Sequence, residues 1–325
     1  MRAFVFPGQG SQRKGMGRDL FALYPDLVRR ADAVLGYSTA ELCLEDPHDR
    51  LTLTAYAQPA IFMVSVLAFI EARKTLPPPD CTAGHSVGEY AALAAAQVFD
   101  FETGLRLVAR RGALMAEADG GGLAAVVGLR HAEVETLLAE EPEGGLSVAN
   151  VNTPTQVVVG GPKDALGRFA GRCRARGGRV VPLAVSGAFH TAAMADAARR
   201  FHAFLDSVEF RAPAIPVACN LTGGLHDGRT AGGMAEVLAR HIERPVLWTR
   251  CVERLLGLGV GEFQEIGGTR ILTPMVEEIR RSAPPVSAAF PVPAPAADEA
   301  PAFGRLVAGS LGAGMAGPEL VGALA

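Results

Sequence analysis

Short solid runs of apolar residues alternate along this chain with stretches of helical spacing. Ala3-Phe4-Val5-Phe6 is such a run and predicts a strand buried on both faces. Apolar spacing predicts helices near 17–35, 57–75 and 100–118, with proline or glycine breaks between them. Between the second and third, Pro77-Pro78-Pro79 ends a helix and Cys81-Thr82-Ala83 opens a strand near 81–85. The helix-forming Tyr90-Ala91-Ala92-Leu93-Ala94-Ala95-Ala96 follows. Together these make an α/β layer.

From residue 122 the rhythm changes. A strand is expected at 123–129, a helix at 131–140, strands at 146–152 and 156–160, a helix at 163–176 and a strand at 179–185. The order β-α-β-β-α-β is that of a ferredoxin-like unit. Beyond it the α/β pattern resumes, with helices near 191–207, 231–241 and 246–258 and strands near 215–219 and 261–265. The expected fold class is therefore α/β: a large α/β-hydrolase-like subdomain (1–121 and 187–283) into which a small ferredoxin-like subdomain (122–186) is inserted. A ligand cleft is expected between the two lobes. Residues 284–302 read as a Pro/Ala linker and 303–325 as a C-terminal tail.

Composition narrows the function classes. The 325 residues are 49% hydrophobic and 20% charged, with a net charge of −3, as for a soluble globular enzyme. There is no basic arm or aromatic-interleaved basic run for nucleic acid, and no apolar run of about 18 residues for a membrane span. No signal-peptide pattern opens the chain. Five scattered cysteines without a CxxC pair argue for reduced thiols in a cytoplasmic protein, with no metal site.

The chemistry concentrates at Gly84-His85-Ser86-Val87-Gly88-Glu89. A G-x-S-x-G run arises by chance in a chain with 38 glycines, but this one sits between a strand and a helix. There it forms a nucleophile elbow, with the serine Oγ exposed and the Val87 N–H aimed at a developing oxyanion. Serine needs a base. His190 follows the apolar stretch 183–185 and the turn Ser186-Gly187, at a similar strand–helix edge. As a lone histidine it also fits a capping or surface role. His85 is expected to point away from Oγ, His241 and His202 to lie on helix faces, and His226 and His48 in loops.

Several ordered blocks resemble the malonyl-CoA:acyl-carrier-protein transacylases and the acyltransferase domains of polyketide synthases. They are Phe4-Val5-Phe6-Pro7-Gly8-Gln9-Gly10-Ser11-Gln12, Gln58-Pro59-Ala60, the elbow with Tyr90, Arg110-Arg111-Gly112-Ala113-Leu114-Met115, Ala149-Asn150-Val151-Asn152-Thr153-Pro154, Gly187-Ala188-Phe189-His190 and Glu265-Ile266-Gly267-Gly268. Gly36-Tyr37-Ser38, Leu42-Cys43 and Glu45-Asp46-Pro47 look most like discrete enzymes that serve polyketide synthases in trans. The resemblance implies malonyl transfer from malonyl-CoA to the phosphopantetheine thiol of an acyl carrier protein, through an acyl-Ser86 ester and without cofactor.

It also implies roles for single residues. A backbone carbonyl orients His190, and the Gln9 N–H completes the oxyanion hole with Val87, although Gly8-Gln9-Gly10 also fits a plain turn. Arg111 grips the malonyl carboxylate, where the residue pattern alone also allows a solvated helix arginine. Phe189 narrows the pocket towards malonyl, and Gln58 and Asn152 line it. One departure stands out: Gly267-Gly268-Thr269 replaces the family's Gly-Pro-Gly, which predicts a looser loop. A proofreading acyl hydrolase shares the same serine and histidine and is the alternative. Lys163, Arg168, Arg172, Arg174, Arg176 and Arg179, set against Asp164, make either a solvated helix face or a docking surface for an acidic carrier protein.

Overall fold

β1 (Arg2–Phe6) lies between β2 (Cys81–Gly84) and β7 (Glu262–Glu265) in a three-stranded parallel sheet. In this computed structural model, which describes residues 1–118, 120–140, 144–226 and 233–283, Ala3 pairs with Cys81 on one side and with Phe263 on the other. The linker and tail expected at 284–302 and 303–325 lie outside the described residues. Successive β1 side chains point to opposite faces. Phe4 and Phe6 join the main core, whereas Ala3 and Val5 pack in a second cluster with Trp248, Val252 and Leu272. A fully buried phenylalanine contributes about 1.5–3 kcal/mol, and this strand supplies two.

The main core is built by α4 (Thr54–Thr75), α5 (Gly88–Ala95) and α6 (Phe101–Ala116), with α9 (Ala195–Leu205) and α10 (Gly233–Arg240) beside them. Among the described residues α4 is the helix long and apolar enough to cross a membrane. However, 72% of its most apolar window is buried inside the protein, so its apolar surface is used by the core. The second cluster is covered by α11 (Trp248–Gly257) and α12 (Leu272–Ser282).

The middle of the chain forms a four-stranded antiparallel sheet from β3 (Gly122–Val127), β4 (Ser147–Thr153), β5 (Gln156–Gly161) and β6 (Arg179–Pro182). The strand order is β4-β5-β3-β6. α7 (His131–Ala139) and α8 (Lys163–Ala175) cover one face, where Val126, Val134, Val157 and Phe169 are buried. Ala149 and Val158 instead join the main core, and β4 is pinned to the other lobe by reciprocal bonds between Val246 and Ala149 and Val151, both 2.9 Å. The whole is a mixed α/β fold.

Several expected elements differ. The single helix near 17–35 is two, α1 (Arg18–Leu23) and α2 (Pro25–Leu35), because Pro25 lacks the N–H that would continue the first. α3 (Thr39–Leu44), capped by Ser38, and α12 were not anticipated. No strand forms near 215–219: Pro216 removes a ladder donor, and only isolated bridges remain, one of them Thr82 with Val217.

Candidate active site

The turn from β2 into α5 is close-packed. A Cβ on Gly84 would lie 2.0 Å from the Gly88 backbone, and one on Gly88 would lie 2.2 Å from the Phe6 carbonyl oxygen. Only glycine lets strand and helix approach this far. Between them Ser86 sits in the left-handed region at φ 53°. Its N–H donates to Asn220 Oδ1 at 2.8 Å, and Asn220 Nδ2 donates to the Gly84 carbonyl at 2.7 Å, so one amide holds both sides of the turn.

His190 comes from a turn ahead of α9, 104 residues further on, and its Nε2 lies 2.8 Å from Ser86 Oγ. Its Nδ1 lies 2.8 Å from the His241 carbonyl oxygen. A carbonyl only accepts, so Nδ1 carries the proton and Nε2 is left free to take one. Burial, then the nearby His241 and Arg111, hold the His190 pKa well below its ordinary value, so the ring is neutral. A serine hydroxyl bonded to a neutral, oriented imidazole is equipped for nucleophilic attack.

Arg111 completes the cluster. It is 0% exposed on α6. Nη2 donates to Ser86 Oγ at 3.2 Å and Nη1 to Gln58 Oε1 at 2.7 Å, with the guanidinium 5.6 Å from the Tyr90 ring centre. Its Nε has no partner, and no acid pairs with it among the described residues. Gly112 makes this possible: a Cβ there would lie 2.9 Å from the Thr54 carbonyl oxygen, so α6 packs closely on α4 and brings Arg111 to Gln58.

The other expected residues fall nearby with different partners. Gly8 abuts His85, where a Cβ would lie 2.3 Å from the His85 carbonyl oxygen, so the Gly8-Gln9 turn lies against the elbow. Among the described residues neither the Gln9 nor the Val87 backbone N–H meets a protein acceptor. The Gln9 side chain donates to Thr54 Oγ1 at 3.2 Å. Asn152 Oδ1 lies 2.8 Å from His85 Nε2, so Asn152 reaches the elbow through that ring, which is turned to Asn152 and Trp248. Phe189 is buried in the main core beside His190. A cavity of about 450 Å³ opens at His190, lined from the small sheet's side by Glu135, Leu138 and Val148 and from the other by Thr191 and Arg244.

The sequence did not single out Asn220 or His241. His241, read as a helix-face residue, lies just past α10 and is 0% exposed. His226, read as a loop residue, is buried against Glu89. The loop after β7 is not loose either. The Glu265 carboxylate accepts from Thr269 Oγ1, from the N–H groups of Ile271, Leu272 and Thr273, and from Thr273 Oγ1, at 2.7–3.0 Å. These bonds tie the Gly267-Gly268-Thr269 turn to the start of α12.

Fold and site define an enzyme with serine-based acyl-transfer machinery. The chain belongs to the acyl transferase domain family, whose model matches residues 3–302. It is 42% identical over 286 residues to the polyketide biosynthesis malonyl CoA-acyl carrier protein transacylase PksC of Bacillus subtilis, covering 87% of this chain and 98% of that one. It is 46% identical over 283 residues to the polyketide biosynthesis protein ThaF of Burkholderia thailandensis, where the match covers 86% of this chain but only 24% of the relative. Among solved structures, the malonyl CoA-acyl carrier protein transacylase of Burkholderia pseudomallei superposes with a TM-score of 0.83 at 42% identity, over 87% of this chain and 99% of that one.

Proposed function

We propose that this protein transfers a malonyl group from malonyl-CoA to the phosphopantetheine thiol of an acyl carrier protein, supplying a polyketide synthase in trans. Ser86 Oγ attacks the thioester carbonyl while His190 Nε2 takes its proton. The tetrahedral oxyanion is held by the N–H groups of Gln9 and Val87. Collapse expels the CoA thiol, which receives the proton from His190, and leaves malonyl-Ser86. The carrier's thiol then attacks that ester by the same steps, with His190 again serving as base and then acid. The route uses only these groups, so no metal or redox cofactor enters it.

The observation that carries the malonyl assignment is Arg111, buried without an acid beside Ser86. Burying an unpaired charge is costly unless something pairs with it, and a malonyl carboxylate fits a guanidinium bidentately. A hydrolase for neutral acyl chains gains nothing from that charge. Gln58 orients the guanidinium, Asn152 and Phe189 bound the pocket, and the cleft between lobes admits the pantetheine arm. The division into 1–121 with 187–283 and 122–186 is supported by the insert's own cluster around Val126, Val157 and Phe169 on one face of its sheet. The β4-β5-β3-β6 order with two covering helices supports a ferredoxin-like reading of the insert, and the three-stranded parallel sheet with its elbow supports the α/β-hydrolase-like reading of the rest. Five buried free thiols support a reducing, cytoplasmic setting.

Incubation with labelled malonyl-CoA, with and without a phosphopantetheinylated carrier protein, tests the proposal. Expected are a stable malonyl adduct on Ser86 and its transfer to the carrier. Rapid release of free malonate would identify a hydrolase instead.

A further inference from the structure

The elbow run ends on an acid that the steps above do not use. Glu89, in the first turn of α5, is 1% exposed. Its Oε1 accepts from the Asn220 N–H at 2.9 Å and bonds His226 Nε2 at 2.7 Å, and its Oε2 lies 2.9 Å from His241 Nδ1, a close contact outside hydrogen-bond geometry. Asn220 is the residue whose amide holds the Ser86 N–H and the Gly84 carbonyl. His241 is the residue whose carbonyl receives the His190 Nδ1–H, and its ring lies 4.9 Å from the His190 ring, centre to centre, at 35°. One buried carboxylate therefore touches both the group that fixes the nucleophile's backbone and the group that fixes the base's ring.

Its charge is maintained. Burial opposes ionisation, but the neighbouring His241 and His226 rings outweigh it and hold the Glu89 pKa below the usual carboxylate range; of the two, His226 carries the charge, since burial holds the His241 pKa below its ordinary value. Bonds to an ionised carboxylate are shorter and stronger than those to a neutral amide. A space-filling residue needs no such charge at this depth, where its desolvation is costly.

We infer that Glu89 is a positioning residue which, through Asn220 and His241, fixes Ser86 and His190 relative to each other. The inference rests on the acyl-transfer reading of that pair. It separates Glu89 from the residues that meet substrate: its loss slows the chemical step and leaves malonyl-CoA binding, set by Arg111, as it was.

The test is single-turnover formation of malonyl-Ser86 from malonyl-CoA, followed by intact mass well below the melting temperature. Glu89→Gln is expected to lower the first-order acylation rate about 10- to 100-fold, the size of effect that supporting hydrogen bonds have behind metal ligands, with an unchanged half-saturating malonyl-CoA concentration. His241→Leu should act in the same direction. His241→Asn, whose amide nitrogen can occupy the Nδ1 position, should recover most of the loss. The His190 Nδ1 proton resonance reports its bond to the His241 carbonyl; it should move upfield in Glu89→Gln and His241→Leu and return in His241→Asn. If Glu89→Gln does not fold, the two His241 variants carry the test, because they leave the Glu89–His226 bond in place. A folded Glu89→Gln enzyme with the wild-type acylation rate and an unmoved resonance overturns the inference, whatever its melting temperature, as do His241→Leu and His241→Asn enzymes of equal rate. A wild-type protein that never forms malonyl-Ser86 overturns the acyl-transfer reading instead, so the two failures are distinct.

Discussion

Ser86 and His190 meet at 2.8 Å with both backbones in the left-handed region, at φ 53° and 60°. Two non-glycine residues in that region cost about 1–3 kcal/mol each, and such strain persists only where the surroundings enforce it. Here the enforcing contacts are Asn220 for the serine and the Ile242 and His241 carbonyls for the histidine.

The strain makes two inactive variants unequal. Ser86→Ala and Ser86→Gly should both fail to form a malonyl adduct by intact mass. The glycine variant should be the more stable of the two by about 1 kcal/mol, since it alone relieves the left-handed backbone. Urea unfolding of the pair checks this; a full adduct on either would show that Ser86 is not the nucleophile.

Arg111→Ala should cost roughly 2–4 kcal/mol in malonyl transfer, because a charge-paired donor is lost, and little in acetyl transfer. Arg111→Lys should recover only part, as an ammonium cannot make the bidentate pair. The ratio of kcat/KM for malonyl-CoA and acetyl-CoA is the measurement. An equal fall for both substrates would mark Arg111 as structural.

Two histidines set opposite pH limits. The proposed base, His190, acts in its neutral form, and its depressed pKa predicts that acylation holds its rate as pH falls through ~6.5, declining only at lower pH. Burial disfavours the His226 imidazolium, but its bonds to Cys219 and Glu89 outweigh this and push its pKa up to about 10. That folded value lies above the unfolded ~6.5. The stability it contributes is therefore complete below pH ~6.5 and lost as pH rises through 10. Melting temperature should fall across that window, and His226→Gln should flatten the fall.

Glycines separate packing from propensity. Gly112→Ala puts a Cβ 2.9 Å from the Thr54 carbonyl oxygen, so α6 must shift and carry Arg111 with it. Malonyl-CoA KM should rise while acetyl transfer changes less. Gly167→Ala, mid-helix in α8 with nothing within 4 Å, should instead stabilise by about 0.5–1 kcal/mol. Thermal melts and steady-state kinetics distinguish the two.

Arg168 on α8 is paired with Asp164 at 3.0 Å and Arg176, the residue that ends that helix, with Glu140 at 3.2 Å, and both arginines are about half exposed. Replacing Arg168, Arg172 and Arg176 with Glu should raise the KM for carrier protein at low salt, through a slower association rate, and leave self-acylation unchanged. An unaltered KM would place docking on another surface.

Ser86 was legible because its elbow announces itself locally; His190, where an apolar stretch gives way to a turn, fitted a capping or surface role equally well until the resemblance singled it out. Arg111 was legible only through resemblance, since nothing near it in sequence tells a buried arginine from a solvated one. Asn220, His241 and Glu89 were not recognised as a unit because they come together across long separations: Ser86 to Asn220 spans 134 residues and Glu89 to His226 spans 137. The Glu265 clamp escaped for a different reason, since its bonds reach no further than Thr273, 8 residues on. Glycines suggested looseness, whereas a carboxylate with five donors decides the loop's geometry. The strand expected near 215–219 failed on Pro216, whose missing N–H breaks the ladder that the apolar residues around it would otherwise join.

The parallel sheet has a consequence for synthesis on the ribosome. Its middle strand, Arg2–Phe6, is made long before one of its two neighbours, Glu262–Glu265. At translation speeds of 5–20 residues per second, the second edge of β1 waits roughly 13–50 s for its partner. Meanwhile the insert between Ser86 and His190 already has its four strands and two covering helices within one continuous stretch, while Ala149 and Val158 await the main core. Until that partner emerges, β1 keeps an open edge on an apolar strand, the kind of surface that chaperones recognise and that favours aggregation when expression is fast.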